Sequence, residues 1–441
     1  MSKRQQTGRA ISRRSFVGGA AAGSVLLAAG FPAPAIAQQR TIKLGYVSPQ
    51  TGPLAAFAEA DNFNVALFKE AARGGLKIGN RTHPVDVIVK DSQSNPNRAA
   101  QVAKDLIVQD KIDLMLVAST PETTNPVSTQ CEIEEQPCIS TMAPWQPWFI
   151  GRQANPAGGP PAWKGFNYTY HYFWGLEDII AVFTNLWNQV ATNKSVGGLF
   201  PNDGDGNAWG DKAVGFPPVL EKQGFKLTDP GRYQNLTDNF AAQITAFKNA
   251  KCEIITGVVL PPDFTTFWKQ ALQQGFKPKV ASVGKAILFP VAVEALGKDG
   301  HNLSSEVWWS PNHPFKSSLT GHSAKQLAEM YQNASKKQWT QPIGFIHSLF
   351  EVATDVLKRT AQLGDGKATI KAIKETDLQT IVGPVKWNQD NVPPFARANV
   401  TRTPLVGGQW RHGPNGKYEI VVTDNKTAPN IPVGGKMEPI A

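Results

Sequence analysis

Short apolar segments alternate with amphipathic helical segments from residue 41 onward. Residues 41–47 have the apolar pattern of a strand, and residues 64–70 follow with helical spacing. The alternation continues with strands at 84–90, 113–118 and 138–141 and with helices at 97–109 and from Pro121. Strands joined by helices of this length form right-handed crossovers, so the pattern predicts a parallel sheet covered on both faces.

A second series of the same kind follows a loop rich in glycine and proline at 151–161. Its predicted helices lie at 178–190, 212–223 and 264–274, and its strands at 195–200, 254–260 and 279–283. Two helices at 323–335 and 344–363 and a strand-like tail at 381–422 complete the chain. Two similar α/β series in tandem predict two lobes.

The N-terminus carries five basic residues ahead of a weakly apolar run at 16–29. Arg13 and Arg14 lie in a Ser-Arg-Arg-Ser-Phe-Val segment of twin-arginine type, and residues 35–37 (Ala-Ile-Ala) form a small-x-small cleavage site. We therefore expect a signal peptide at 1–37, cleaved near Ala37, and a periplasmic mature chain. The alternative is an uncleaved anchor, but the run is shorter than the roughly 20 residues of a bilayer span.

The charge of the mature chain gives no reason to expect nucleic acid as a partner. The formal charge of +10 falls to +5 (40 basic minus 35 acidic residues) when the basic, acid-free segment 1–37 is removed. A surplus of this size without a run of Lys or Arg is not typical of nucleic-acid binding.

Three cysteines in an oxidising compartment allow one disulfide. Cys131 and Cys138 are close enough in sequence for a disulfide to join a helix end to the next strand. A bridge between them and two free thiols are both open alternatives. Cys252 lies in an apolar segment and is expected to be a small buried hydrophobe. The spacing of the cysteines does not indicate zinc.

The main rival interpretation is an exported enzyme, because an α/β fold does not decide function. The chain contains no GxSxG motif, no histidine set with metal spacing and no dinucleotide fingerprint. We therefore expect no catalytic residues and no cofactor.

Polar and aromatic residues follow several strands, where open parallel sheets bind their ligands. These loops hold Thr51-Gly52-Pro53, Ser119-Thr120, Met142-Ala143-Pro144 and, in the second series, Asn202-Asp203 with Trp209-Gly210. In this order and spacing they resemble the leucine/isoleucine/valine-binding family of type I periplasmic binding proteins over nearly the whole mature chain. The resemblance implies two Rossmann-like lobes, joined by three crossover strands, that close on a small ligand.

The resemblance also places the crossovers near 168–175, 306–311 and 383–387. Lobe one is then expected at 38–170 and 310–384, and lobe two at 171–309 and 385–441.

The resemblance further implies that the ligand carboxylate docks on Ser119 and Thr120, at the start of the helix at Pro121, and on the backbone of Met142. The free N–H groups and the dipole of a helix start favour an anion there. At a bare helix start, Thr120 could instead serve only as an N-cap. Aromatic residues are expected to wall the ligand, namely Phe57 and Trp209 first and Trp145 next. Asn202 is expected at a turn or helix start beside the cleft.

Departures from the family pattern bear on the ligand. Lys285 stands where amino-acid-binding relatives place a glutamate for the ligand's ammonium, and Leu260 and Pro144 stand where tyrosine and hydroxyl residues are common. A cation repels an ammonium, so the ligand is expected to be an organic acid or amide without a free amine, such as an aromatic carboxylate. If the alignment is off by one residue, Lys285 is an ordinary solvated lysine and an amino acid is the alternative ligand.

The resemblance thus implies a monomeric substrate-binding subunit of an ABC importer, with a small molecule and a membrane permease as partners. A sensory role with the same fold stays open.

Overall fold

The computed structural model describes residues 39–152, 165–413 and 416–440. The predicted signal peptide and its cleavage site at Ala37 lie outside these residues, as does most of the predicted loop at 151–161. None of the described helices combines the length and apolar character required to cross a membrane.

The described residues form helices and strands in alternation. The strands are β1 Ile42–Ser48, β2 Leu76–Ile78, β3 Arg81–His83, β4 Val85–Asp91, β5 Leu114–Ala118, β6 Cys138–Thr141, β7 Thr169–Tyr172, β8 Ser195–Leu199, β9 Lys226–Thr228, β10 Ile254–Val258, β11 Val280–Gly284, β12 Ser304–Val307, β13 Asp377–Thr380, β14 Gly383–Lys386, β15 Val400–Thr401, β16 Val406–His412 and β17 Tyr418–Asp424. The helices are α1 Asp61–Ala71, α2 Pro96–Asp105, α3 Pro121–Ile133, α4 Trp145–Phe149, α5 Leu176–Trp187, α6 Gly204–Trp209, α7 Phe216–Lys222, α8 Ala241–Asn249, α9 Pro261–Gln273, α10 Pro290–Glu294, α11 Ala324–Ser335, α12 Pro342–Arg359 and α13 Gly366–Lys374.

Lobe one is built on a sheet of six parallel strands in the order β15-β7-β6-β5-β1-β4. All five residues of β5 are buried, as expected for a central strand covered on both faces. The long helix α12 packs against β5 and β6 on one side, and α2 and α3 pack against each other on the other. The predicted parallel α/β class is confirmed.

Lobe two is built on a seven-stranded sheet in the order β17-β16-β12-β11-β10-β8-β9. The strands from β9 to β12 are parallel, whereas β16 and β17 are antiparallel. Helix α7 begins at Phe216, not at the predicted position 212, because Pro217 and Pro218 suit only the first turn of a helix.

Three chain segments link the two sheets. The first two run from β7 to α5 and from the end of β12 toward α11. The third lies between β15 and β16, so the boundary predicted at 384 is wrong and lobe one continues to Thr401. The predicted crossover at 383–387 instead contains β14, which pairs with β13 beside α12, where Glu351 accepts a hydrogen bond from the Ile381 N–H at 2.9 Å.

The bridge considered between Cys131 and Cys138 is not formed in the structure. Both residues are free thiols, completely buried at the end of α3 and the start of β6, among apolar side chains of lobe one. Burial and the neighbouring Cys138 raise the pKa of the Cys131 thiol, which disfavours the thiolate needed for oxidation. Cys252 is also free and buried, as predicted.

The cleft between the lobes and its candidate ligand site

A small cavity lies where the carboxyl ends of both sheets meet. It has about 20 Å³ of free space, which is room for roughly one water molecule. The two lobes are therefore closed against each other in this structure, and they must separate to admit a ligand. The lining comprises Phe57, Thr120, Met142, Pro144, Phe173, Trp174, Asp205, Trp209, Val258, Lys285, Leu288, Glu306 and Trp308.

Aromatic rings make up much of the wall. Phe57 of lobe one stacks on Trp308, with 6.4 Å between ring centroids and 17° between ring planes. Phe173 meets Trp308 edge-on at 5.2 Å, and Trp209 stacks on Phe216 at 5.0 Å. Flat, rigid surfaces of this kind suit a planar or apolar ligand body.

Two lining residues have a left-handed backbone, one in each lobe. Met142 directly follows β6 with φ of 70°, and Lys285 directly follows β11 with φ of 69°. Such conformations cost on the order of 1–3 kcal/mol in a residue other than glycine and cluster at ligand sites. The turn they make ends each strand abruptly, so both side chains line the cavity.

Lys285 is held by carboxylates from both lobes. Its Nζ donates to Glu122 Oε1 of lobe one at 3.0 Å and to Asp205 Oδ2 of lobe two at 3.1 Å, and Asp203 Oδ2 lies at 3.8 Å. Burial lowers the pKa of Lys285, but attraction to these carboxylates outweighs burial and raises it above the ordinary value. Lys285 is thus a protonated cation whose charge is compensated by carboxylates, and with a side chain that is 5% exposed it is not the ordinary solvated lysine of the alternative interpretation.

Glu122 lies in the first turn of α3, where the helix dipole favours a negative charge. Its Oε2 accepts a short hydrogen bond from the Thr120 hydroxyl, while its Oε1 accepts from Lys285. Thr120 occupies the N-cap position of α3, but its side chain makes no capping hydrogen bond to the helix backbone. The carboxylate of Glu122 therefore lies between the hydroxyl of Thr120, which is one of the residues predicted to bind the ligand carboxylate, and the ammonium of Lys285.

Two further acids line the cavity. Glu306 of β12 is buried and accepts hydrogen bonds from the Lys285 N–H at 3.2 Å and the Ser305 hydroxyl at 2.8 Å. Burial raises the pKa of Glu306 to about 7. Burial also raises the pKa of Asp205; Lys285 opposes this rise, and the nearby carboxylates of Glu122 and Asp203 add to it. These two groups hold protons more readily than ordinary carboxylates do.

Unpaired polar atoms also line the cavity. Within the described part of the chain, the indole N–H groups of Trp174 and Trp209 and the Oδ1 atom of Asp205 are buried without a hydrogen-bond partner. Buried polar groups are nearly always paired, so these atoms are available to a ligand. In residues 39–152, 165–413 and 416–440, no set of three His, Cys, Asp or Glu residues is arranged to hold a metal ion.

Five of the nine sequence-predicted ligand residues line the cavity, and four do not. The five are Phe57, Thr120, Met142, Trp209 and Lys285. The Ser119 hydroxyl is buried between β5 and α3, where it accepts a hydrogen bond from the Thr123 hydroxyl at 2.6 Å. Trp145 packs near Phe149 and donates to Glu177 at 3.0 Å. Asn202 is exposed, and Leu260 precedes α9.

Sequence reasoning missed Phe173, Trp174, Asp205 and Glu306, which approach the cavity from crossover strands and from α6. Glu306 could have been identified from the sequence as a single acidic residue within an apolar predicted crossover. Asp205 could have been identified because it lies two residues after Asp203 in the loop that follows a strand.

Comparison with known proteins agrees with this architecture. The sequence profile of the periplasmic binding protein family matches residues 41–404. Leucine binding protein LivK from Thermotoga maritima superposes with a TM-score of 0.68 at 16% identity, over 87% of this chain and 99% of its own. The R. palustris ABC transporter solute binding protein in complex with 4-hydroxybenzoate superposes with a TM-score of 0.68 at 16% identity, over 88% of this chain and 99% of its own. Streptococcus pneumoniae LivJ in complex with isoleucine superposes with a TM-score of 0.66 at 15% identity, over 87% of this chain and 100% of its own.

These solved structures share the fold of this chain, in which three links join the two sheets. With the profile covering most of its length, the chain belongs to the periplasmic binding protein family and has the type I fold of ABC transporter substrate-binding proteins.

Proposed function

We propose that this chain is exported through a twin-arginine signal at 1–37 and serves in the periplasm as the ligand-capturing subunit of an ABC importer. The lobes close on a small molecule, and the closed form is the one that a membrane permease recognises. Ligand binding acts by shifting the population of open and closed forms. Membership of the periplasmic binding protein family supports this proposal.

For the ligand, we propose a small organic acid or amide with a planar body and no free amine, with an aromatic carboxylate as the first candidate. The observation that carries this proposal is the Glu122 carboxylate, which bonds both Thr120 and Lys285 and so marks a position that accommodates a carboxylate. The rings of Phe57 and Trp308 suit a planar body. A solved relative binds 4-hydroxybenzoate.

In this mechanism the ligand first docks on lobe one beside Thr120, at the start of α3. Closure then brings Lys285 onto the ligand carboxylate in place of Glu122. The indole N–H groups of Trp174 and Trp209 donate to ligand oxygen atoms, and the aromatic wall excludes water.

An amino acid is the second candidate ligand, and the surplus of carboxylates favours it. Glu122, Asp203, Asp205 and Glu306 surround one lysine, so a ligand ammonium has acceptors available. A solved relative binds isoleucine.

A thermal-shift screen of the mature protein distinguishes the two candidates, because a ligand that binds the native state raises the melting temperature. The probes are matched pairs that differ only in the amine: 3-(4-hydroxyphenyl)propanoate with tyrosine, and 4-methylpentanoate with leucine. Stabilisation by the acids alone, lost in Lys285→Gln and kept in the control Lys279→Gln, supports the acid. Lys279 is a suitable control because it pairs with Glu253 at 3.0 Å within lobe two. Stabilisation by the amino acids alone contradicts the acid and supports the second candidate.

A further inference from the structure

The three carboxylates around Lys285 differ in which lobe carries them. Asp203 and Asp205 lie at the start of α6 in lobe two, so they stay with Lys285 when the lobes separate. Glu122 lies in lobe one and moves away. The Glu122 side chain is 18% exposed, whereas those of Asp203 and Asp205 are 7% and 3% exposed. Of the three carboxylates around Lys285, that of Glu122 is therefore the one that a ligand carboxylate can replace.

The ammonium of Lys285 cannot accept a further anion without losing one of these partners. Its Nζ donates to Glu122 and Asp205 at 3.0 and 3.1 Å, and the Asp203 carboxylate lies 3.8 Å away as an ion-pair partner without a hydrogen bond. The side chain is only 5% exposed, so no open face is left for a second carboxylate. A ligand carboxylate and the Glu122 carboxylate thus exclude each other at Lys285.

We infer that Glu122 is a specificity-determining residue that acts as an internal competitor for the ligand's anionic group. A ligand with a carboxylate must displace Glu122 from both Thr120 and Lys285. An uncharged ligand does not compete for these two partners and leaves Glu122 in place. This inference rests on the acid-binding function proposed above.

The same contact links the lobes, which has a consequence that does not depend on any ligand. Glu122 and Lys285 are buried or nearly so, and salt screens such a pair less than it screens an exposed one. While the pair is formed, the cleft stays closed. Neutralising Glu122 removes this link and shifts the protein without ligand toward open forms.

The first test measures affinity by isothermal titration calorimetry with 4-hydroxybenzoate and its uncharged counterpart 4-hydroxybenzamide. In Glu122→Gln we expect acid affinity to rise about ten-fold, whereas amide affinity should not rise, because the amide-bound closed form loses the Glu122–Lys285 link that it keeps in the wild type. Glu253→Gln is the control, because it removes a Glu–Lys pair of the same 3.0 Å length within lobe two. Acid affinity that is unchanged or reduced in Glu122→Gln overturns the inference.

The second test uses small-angle X-ray scattering of the same variants without ligand. We expect a larger radius of gyration in Glu122→Gln than in the wild type and in Glu253→Gln. Glu122→Asp keeps the charge but shortens the side chain, so it should also open the cleft. If neither the wild type nor any variant binds either probe, the ligand class proposed above is wrong, and the scattering measurement alone tests the role of Glu122. Equal radii of gyration in the wild type and in both Glu122 variants would then overturn the inference.

Discussion

Glu122 Oε1 and Lys285 Nζ lie 3.0 Å apart across the cleft, although the two residues are 163 positions apart in the sequence. Glu122 belongs to the first turn of a lobe-one helix, and Lys285 follows a central strand of lobe two. One contact thereby joins the lobes and occupies the place where a ligand carboxylate is expected.

Replacing Lys285 with Met should destabilise the protein by about 3–5 kcal/mol, because it leaves buried carboxylates without their cation. The measurement is the free energy of unfolding in denaturant at neutral pH. Lys279→Met, at a pair whose lysine side chain is 47% exposed, should cost less than about 1 kcal/mol. Equal losses in the two variants would show that Lys285 is not an essential partner of these acids.

Glu306→Gln should gain stability relative to the wild type as pH rises. Burial raises the pKa of Glu306 to about 7, so the folded protein binds a proton that the unfolded chain releases near pH 4.5. Wild-type stability from this group is therefore present below about pH 4.5 and is lost as pH rises to about 7.

The size of the effect is on the order of 3 kcal/mol between pH 4 and pH 8. It is measured as the difference in unfolding free energy between Glu306→Gln and wild type across that range. Two pH profiles that run parallel would contradict a raised pKa for Glu306.

Trp209→Phe should weaken binding of 4-hydroxybenzoate about ten-fold, because it keeps an aromatic ring but removes an indole N–H that has no protein partner among the described residues. Trp145→Phe is the matched control. Its indole bonds Glu177 and does not line the cavity, so its loss should leave affinity unchanged. Calorimetric titration of both variants distinguishes the two tryptophans, and the reverse order of effects would move the site toward Trp145.

The three cysteines should all titrate as free thiols when the protein is unfolded in denaturant without reductant. In the native protein they should react slowly with Ellman's reagent, since Cys131, Cys138 and Cys252 are buried. Finding a single thiol in the unfolded, unreduced protein would mean that the Cys131–Cys138 bridge forms after export.

The sequence by itself was enough for the class of fold. Short apolar runs mark the central strands to within a residue or two, because fully buried segments such as β5 must be apolar whatever surrounds them. The third link was misplaced because β15 has only two residues, too few to show a period, and its assignment depends on pairing with β7.

Site residues could be predicted from the sequence only where they lie at or just after the carboxyl end of a strand. Met142 and Lys285 directly follow strands, Thr120 is the second residue after β5, and all three line the cavity. The state of Lys285 was decided by tertiary structure alone, because its charge is compensated by acids on two different lobes. Which carboxylate forms an ion pair with the Lys285 ammonium depends on how the lobes close. Local sequence patterns contain no information about distances between residues of different lobes.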